Sequence, residues 1–256
     1  MAELPDLTVF AKTLTRLYKG KTLNDLEIKV AKKLNVTSAE LKTALEGTTL
    51  NQVERAGKTL QFHFGKDQVL GLHLMLRGEL KAISGDLPKH TILAFHFTEG
   101  KGFAVTDVLK QATTTLSPPI AKAPDALEIT ETEFLTLLSR RKKNIKEVLI
   151  DQKAFRGIGN SYADEILWEA SISPLSIADK IPEKQAKKLF RTISKVLNEA
   201  IKAITKENGN ELKGELRDFM KIHGAKIERS PTGKTIRSEK IGGRTAYYTS
   251  EQKLYK

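Results

Sequence analysis

Asp151-Gln152-Lys153-Ala154-Phe155-Arg156-Gly157-Ile158-Gly159-Asn160-Ser161-Tyr162-Ala163-Asp164-Glu165 is the stretch on which the reading of this chain turns. A Gly-x-Gly turn runs straight into a helix predicted over 161–170. Glycine lets a backbone approach a phosphate closely, and a helix start offers unpaired N–H groups with a partial positive charge. Asn160 stands where its amide could cap that helix or bond a phosphate. The same pattern also suits a tight helix–helix connection with no ligand at all. What Gly157, Gly159 and Asn160 do therefore depends on the rest of the chain.

On the C-terminal side the apolar period is helical. Helices are predicted over 130–139, 144–149 and 211–221, and a long one over 183–205 with Leu189, Ile193, Val196, Leu197, Ala200 and Ile204 on one face. Two strand-like runs, 234–241 and 244–250, flank Gly242-Gly243, a two-residue hairpin turn. On the N-terminal side, Pro118, Pro119 and Pro124 mark a linker over 113–125. Before it the pattern is mostly strand. Leu60, Phe62 and Phe64 alternate, 69–75 is densely apolar, and 91–97 and 102–108 form a further pair. A helix over 5–18 precedes these, with Pro5 in its first turn and Leu7, Phe10, Ala11, Leu14 and Leu17 as its apolar stripe. Residues 23–30 read as a strand, and Thr37 with Glu40 has capping-box spacing for a short helix to Leu45. The fold class is α+β. A two-layer β domain, sandwich or barrel, spans 1–115, a linker 116–127, a helical domain 128–222 and a β-hairpin 223–256.

The chain has 256 residues and a formal net charge of +12. That excess implies a polyanionic partner, with DNA or RNA ahead of a membrane surface; the alternative is a basic protein with no specific partner. There is no cysteine, which excludes disulfides, thiol catalysis and zinc–thiolate sites. No run approaches the ~18 apolar residues of a membrane span. His63, His73, His90, His96 and His223 show no metal-ligand spacing, so no metal and no cofactor are expected. The expected protein is soluble and intracellular.

The stretch 151–165 resembles the helix-two-turn-helix of the formamidopyrimidine-DNA glycosylase/endonuclease VIII family. Two further places agree. The opening Ala2-Glu3-Leu4-Pro5-Asp6 is similar to that family's Pro-Glu-Leu-Pro-Glu, and Gly242-Gly243-Arg244-Thr245 resembles the Gly-Gly-Arg-Ser/Thr at the tip of its DNA-binding hairpin. The resemblance runs nearly end to end and in order. It implies a DNA-repair enzyme, a glycosylase with abasic-site lyase activity, whose partner is double-stranded DNA carrying a base lesion or an abasic site, and which works as a monomer in a bacterial cytoplasm, associated with the nucleoid.

The resemblance also implies roles residue by residue. The amine of Ala2, once Met1 is removed, attacks C1′ of the damaged nucleotide. Glu3 shuttles protons, although a carboxylate there also suits a helix start. An α-amino group has a pKa of about 8 against about 10.4 for lysine, so at pH 7.5 roughly a quarter of it is uncharged and nucleophilic. Asn160, with Gly157 and Gly159, grips backbone phosphate, and Arg244 offers a planar donor fork to another. Arg55-Ala56-Gly57-Lys58-Thr59-Leu60 resembles a family strand whose lysine meets phosphate near the lesion; Lys58 otherwise reads as a solvated strand charge. In His73-Leu74-Met75-Leu76-Arg77-Gly78, Leu76 takes the place of the apolar residue that fills the space of the extruded nucleotide. Otherwise it is a core residue of a strand.

Three departures bear on the chemistry. Ala2 replaces proline, and a primary amine still forms an imine. The four zinc-finger cysteines align near Arg229, Thr232, Thr249 and Gln252, leaving the hairpin to be held by packing, with Tyr247 and Tyr248 as the residues to do it. The segment 107–112 lacks the Arg and Phe that probe the base opposite the lesion, and the lesion-covering loop is short. Selective removal of 8-oxoguanine is therefore not expected, and oxidised pyrimidines, abasic sites or an unusual lesion come forward. Two rivals stay open: a DNA-binding protein of the same fold without chemistry, and an RNA-associated structural protein with a helix-two-turn-helix.

Overall fold

The alternation of Leu60, Phe62 and Phe64 builds one wall of the N-terminal core. In the computed structural model, which describes residues 1–209 and 211–256, these three side chains are at most 1% exposed. They lie on β3 (Thr59–Phe64), in a four-stranded antiparallel sheet of order β2-β3-β4-β8, with β2 Leu50–Ala56, β4 Gln68–His73 and β8 Thr113–Leu116. The facing sheet, also antiparallel, has the order β1-β6-β7-β5, with β1 Leu23–Ile28, β5 Gly78–Ala82, β6 Thr91–Phe97 and β7 Gly102–Asp107. Phenylalanines close the gap between the sheets. Phe62 stacks on Phe95 and on Phe103, each at 5.7 Å between ring centroids. Each such pair adds about 0.5–1.5 kcal/mol beyond the burial itself.

Helix α1 (Leu4–Tyr18) packs against β2, burying Leu7, Phe10, Ala11 and Leu14 as the stripe predicts. Its Thr15 hydroxyl donates to the Val53 carbonyl at 3.0 Å and accepts from the Val53 N–H at 2.8 Å. One side chain thus satisfies a backbone pair on an edge strand. Helix α2 (Ser38–Leu45) begins with the Thr37–Glu40 capping box that the spacing predicts.

The helical part contains α3 (Glu131–Ser139), α4 (Ile145–Ile150), α5 (Asn160–Ala170) and α6 (Glu183–Asn208), followed by the hairpin β9 (Arg237–Ile241) and β10 (Arg244–Tyr248). The chain divides into two compact units. One is Met1–Ile120 with Ile204–Leu216, the other Ala121–Ala203 with Arg217–Lys256.

Four expectations change. Residues 113–116 are not linker: the β-branched run Thr113-Thr114-Thr115 pairs with β4 before the prolines begin. Residues 211–221 form no helix. The Glu165 carboxylate there accepts the N–H groups of Lys221, Ile222 and His223 at 2.8–3.0 Å, holding the end of the segment open. Lys58 is not on a strand. It lies with Gly57 in the tight turn between β2 and β3. The first hairpin strand starts at Arg237 rather than at 234, since Arg229, Ser230 and Lys234 engage in a local turn ahead of it.

Candidate nucleic-acid interface

Gln152 shapes the turn before α5. Its Oε1 accepts from the Gly157 N–H at 3.0 Å, and its Nε2 donates to the carbonyls of Ile150 at 3.0 Å and Ile158 at 2.8 Å. Phe155 and Ile158 are fully buried beneath it. Gly157 has φ +109, a conformation a side chain would strain. Gly159 is the N-cap, so Asn160 opens the helix at the positive end of its dipole. The Asn160 Nδ2 donates to the Thr245 carbonyl at 3.0 Å, while its Oδ1 is buried with no hydrogen-bond partner. A phosphate oxygen is an acceptor, so this side chain can meet one only through the second Nδ2 proton.

Thr245 follows Arg244 on β10. Its carbonyl also accepts from the Lys146 Nζ at 2.9 Å. Lys146 and Asp164 form an ion pair at 2.7 Å with both side chains fully buried. The second Asp164 oxygen accepts from the Tyr247 N–H at 3.1 Å and meets His223 Nδ1 at 2.7 Å. The Tyr247 ring stands edge-on to His223. At the tip, Gly242 and Gly243 have φ +55 and +77. A Cβ on Gly242 would lie 3.0 Å from the Glu147 side chain, so glycine lets the tip press against α4. Arg244 is exposed at that tip.

Among the described residues no three His, Cys, Asp or Glu side chains gather as metal ligands. Where the finger cysteines align there is a polar knot. Glu251 Oε2 accepts from Thr232 Oγ1 at 2.8 Å and from Thr249 Oγ1 at 3.0 Å, and Ser230 Oγ lies 2.7 Å from Thr232 Oγ1. These bonds, Thr232's first, hold the Glu251 carboxyl below its ordinary range. Gln252 accepts from the Thr249 N–H at 2.8 Å and donates to the Ile172 carbonyl at 2.8 Å, tying the knot to the end of α5. Tyr247 packs as the sequence implies, but Tyr248 bonds Glu239 within the hairpin. The roles of Gln152, Lys146, Asp164 and Glu251 were not assigned from the sequence.

The other sequence-derived residues lie in the first unit. Ala2 is 3% and Glu3 2% exposed. Glu3 is the N-cap of α1, and its N–H donates to the Asp6 carboxylate at 3.0 Å. The amine of Met1 pairs with Glu215 at 2.7 Å. Lys58 lies close enough to His73 for its charge to add to burial in holding that imidazole below its ordinary pKa. His73 Nδ1 accepts from the Met75 N–H at 3.0 Å, in a loop where Met75 has φ +54. Leu76, on the same loop, is 55% exposed and therefore not a core residue. Val108 and Leu109 are also exposed, on a loop that the Asp107 carboxylate ties down through the N–H groups of Leu109, Gln111 and Ala112. Because β5 and β7 pair Gly78 with Asp107, the two loops leave the same end of that sheet.

The formamidopyrimidine-DNA glycosylase N-terminal domain model matches residues 1–114, and the formamidopyrimidine-DNA glycosylase H2TH domain model matches residues 120–210. The chain is 33% identical to the formamidopyrimidine-DNA glycosylase of Lactobacillus gasseri, over the full length of both. It is 30% identical to that of Bacillus licheniformis, over 97% of this chain and 98% of the relative. Among solved structures, the Lactococcus lactis Fpg in complex with an abasic site containing DNA matches with a TM-score of 0.87 at 26% identity, over 97% of this chain and 98% of that one. MutM in complex with carbocyclic 8-oxo-G containing DNA matches with a TM-score of 0.86 at 26% identity, over 98% and 100%.

Proposed function

The chain belongs to the formamidopyrimidine-DNA glycosylase family, and from that premise we propose that it is a DNA-repair glycosylase and abasic-site lyase acting through its N-terminal amine. The observation that carries this reading is the Asn160–Thr245 bond. It joins the turn that would hold one phosphate to the strand whose first residue, Arg244, would hold another. Two phosphate contacts fixed relative to one another set the register of a duplex, which is what such contacts contribute. Lys58 adds a second cation, in the first unit, and exposed Leu76 can enter the gap that an extruded nucleotide leaves.

The chemistry needs the amine of Ala2, hence removal of Met1. Its lone pair forms a bond to C1′ of the damaged nucleotide, and the base departs with the glycosidic electron pair and a proton. Ring opening gives an imine between Ala2 and the sugar. Loss of the C2′ proton then expels the 3′ phosphate and nicks the strand, and water releases the enzyme. Glu3, adjacent in sequence, exchanges the protons of ring opening and elimination. The substrates are double-stranded DNA with an abasic site or an oxidised pyrimidine, because Asp107-Val108-Leu109-Lys110-Gln111-Ala112 presents no Arg or Phe to test the opposite base. The protein acts as a monomer in the cytoplasm, at the nucleoid. No helix among the described residues is long and apolar enough to cross a membrane.

One observation favours a second reading, a DNA-binding protein without chemistry: with Met1 retained, the chain's amine is paired with Glu215 and Ala2 is buried. Borohydride trapping on a duplex with one abasic site separates the two. Processed protein gives a covalent adduct in the first reading and none in the second.

A further inference from the structure

The long helix α6 buries Leu189, Ile193, Leu197 and Ala200 on one side. On the other side Lys184, Lys188, Arg191, Lys195 and Lys202 follow at steps of 4, 3, 4 and 7 residues, all exposed. Those steps keep five cations on one line of a 3.6-residue helix, about 27 Å long. Glu199, four residues after Lys195 and three before Lys202, is the one acidic residue at that spacing. Lys195 is shared with Glu169, and Arg191 lies 3.9 Å from Glu131 while its side chain stays 76% exposed. Lys184, Lys188 and Lys202 have no carboxylate partner among the described residues. A solvated helix face ordinarily mixes both signs of charge; this line sets five cations against one carboxylate.

We propose that this line is a second polyanion-binding surface, which takes the sugar–phosphate backbone of a further duplex segment, independently of any lesion. Position separates it from the interface described above. Lys195 reaches Glu169, and Lys188 lies 3.4 Å from Ser171 Oγ, both at the C-terminal end of α5. Asn160 is at the other end of that helix, about 15 Å away. The phosphates that Asn160 would meet are therefore not those along the line. Chemistry selects the occupant. A protein partner of stable affinity needs an apolar or aromatic centre, and none of the exposed large hydrophobic residues lies on α6. A row of cations without apolar anchors matches a phosphate backbone, which carries one charge per ~3.4 Å of duplex axis on each strand. The surface would let the protein hold one duplex segment while it contacts another.

The test uses the full chain, a donor-labelled duplex with an abasic-site analogue and an acceptor-labelled undamaged duplex. Energy transfer between them, with one protein per two duplexes by sedimentation, is the expected result. The variant K184A/K188A/R191A/K195A/K202A should lose the transfer while its affinity for the abasic duplex stays within about twofold. Its salt slope on undamaged duplex should be shallower by about four. A second variant, K184Q/K188Q/K202Q, keeps the pairs of Arg191 and Lys195 and should weaken the transfer with an unchanged melting temperature. The proposal is overturned if the wild type never binds a second duplex, or if the five-fold variant bridges as well. It is also overturned if polyglutamate occupies the line while duplex does not, which would mark an acidic-protein surface. The second duplex is undamaged, so failure of the repair chemistry shows in trapping and leaves this readout untouched.

Discussion

Lys146 and Asp164 form an ion pair with no exposure of either side chain, and each also bonds the hairpin strand, Lys146 at the Thr245 carbonyl and Asp164 at the Tyr247 N–H. The strand that carries Arg244 is thus fastened to α4 and α5 by buried charge. Breaking such a pair by deleting one member leaves the other buried without compensation, at a cost of about 3–5 kcal/mol. Asp164→Ala should lower stability by about that amount in chemical denaturation and weaken DNA binding. Unchanged stability would mean that solvent reaches Lys146. Unchanged DNA affinity in a folded Asp164→Ala protein would mean that the hairpin does not need this anchor.

The split between what the sequence revealed and what it hid follows sequence distance. The turn at Gly157-Ile158-Gly159-Asn160 was legible because its conformation is demanded locally, by Gly157 at φ +109 and a helix start three residues on. The Phe62–Phe64 alternation and the apolar face of α6 were legible for the same reason. The partners of Asp164 lie 18, 59 and 83 residues away, and no local pattern announces them. Residues 211–221 show the opposite failure. Their composition permits a helix, but Gly214 weakens it, and the Glu165 carboxylate offers the final N–H groups a charged acceptor. Leu76 was ambiguous because an apolar run does not say where its strand stops; β4 stops at His73.

Glu251 predicts an acid response. Its carboxyl is held below the ordinary value of 4.5 by hydroxyl bonds, Thr232's first. A carboxyl depressed in the folded state contributes stability that is fully present above its unfolded pKa and is lost as pH falls through the folded one. Its share of the stability should therefore be constant from neutrality to about pH 5 and then decline, and Glu251→Gln should flatten part of that decline. Other depressed carboxyls, Glu169 among them, titrate in the same range. The readout is accordingly the difference between wild type and variant across pH 3–7, on the order of the usual carboxylate range. Identical pH profiles would remove Glu251 as the knot's centre.

The same knot predicts indifference to metal. Hydroxyls of Ser230, Thr232 and Thr249 gathered on one carboxylate hold the base of the hairpin, and Gln252 ties it to Ile172. Dialysis against a strong chelator should leave melting temperature and DNA affinity where they were. A fall in either would expose a metal site outside the polar knot.

Arg244 should act on DNA affinity rather than on folding, since it is exposed at the hairpin tip. Arg244→Ala should leave the melting temperature unchanged and reduce the slope of log affinity against log salt by about one, the loss of a single phosphate contact. An unaltered slope would take Arg244 out of the interface, even if affinity fell for other reasons.

The last prediction concerns Ala2. With Met1 in place the amine pairs with Glu215, and Ala2 is buried behind it. Removing Met1 moves the amine one residue along the chain, about 3.8 Å, to the residue beside Glu3. Processed protein should form a borohydride-trapped adduct with abasic-site DNA, and peptide mass mapping should place it on Ala2. A chain that keeps Met1 should give none, because its amine stands a full residue from the position that attack requires. Glu3→Gln should slow strand cleavage while sparing affinity, since a side chain that moves protons is needed only after the DNA is bound. An adduct that maps to Lys58 would keep the chemistry and move the nucleophile. Lysine at its ordinary pKa is uncharged to only about a thousandth at pH 7.5, so that outcome would also require a depressed lysine in the turn between β2 and β3. Equal trapping with and without Met1 would sink the assignment of Ala2 outright.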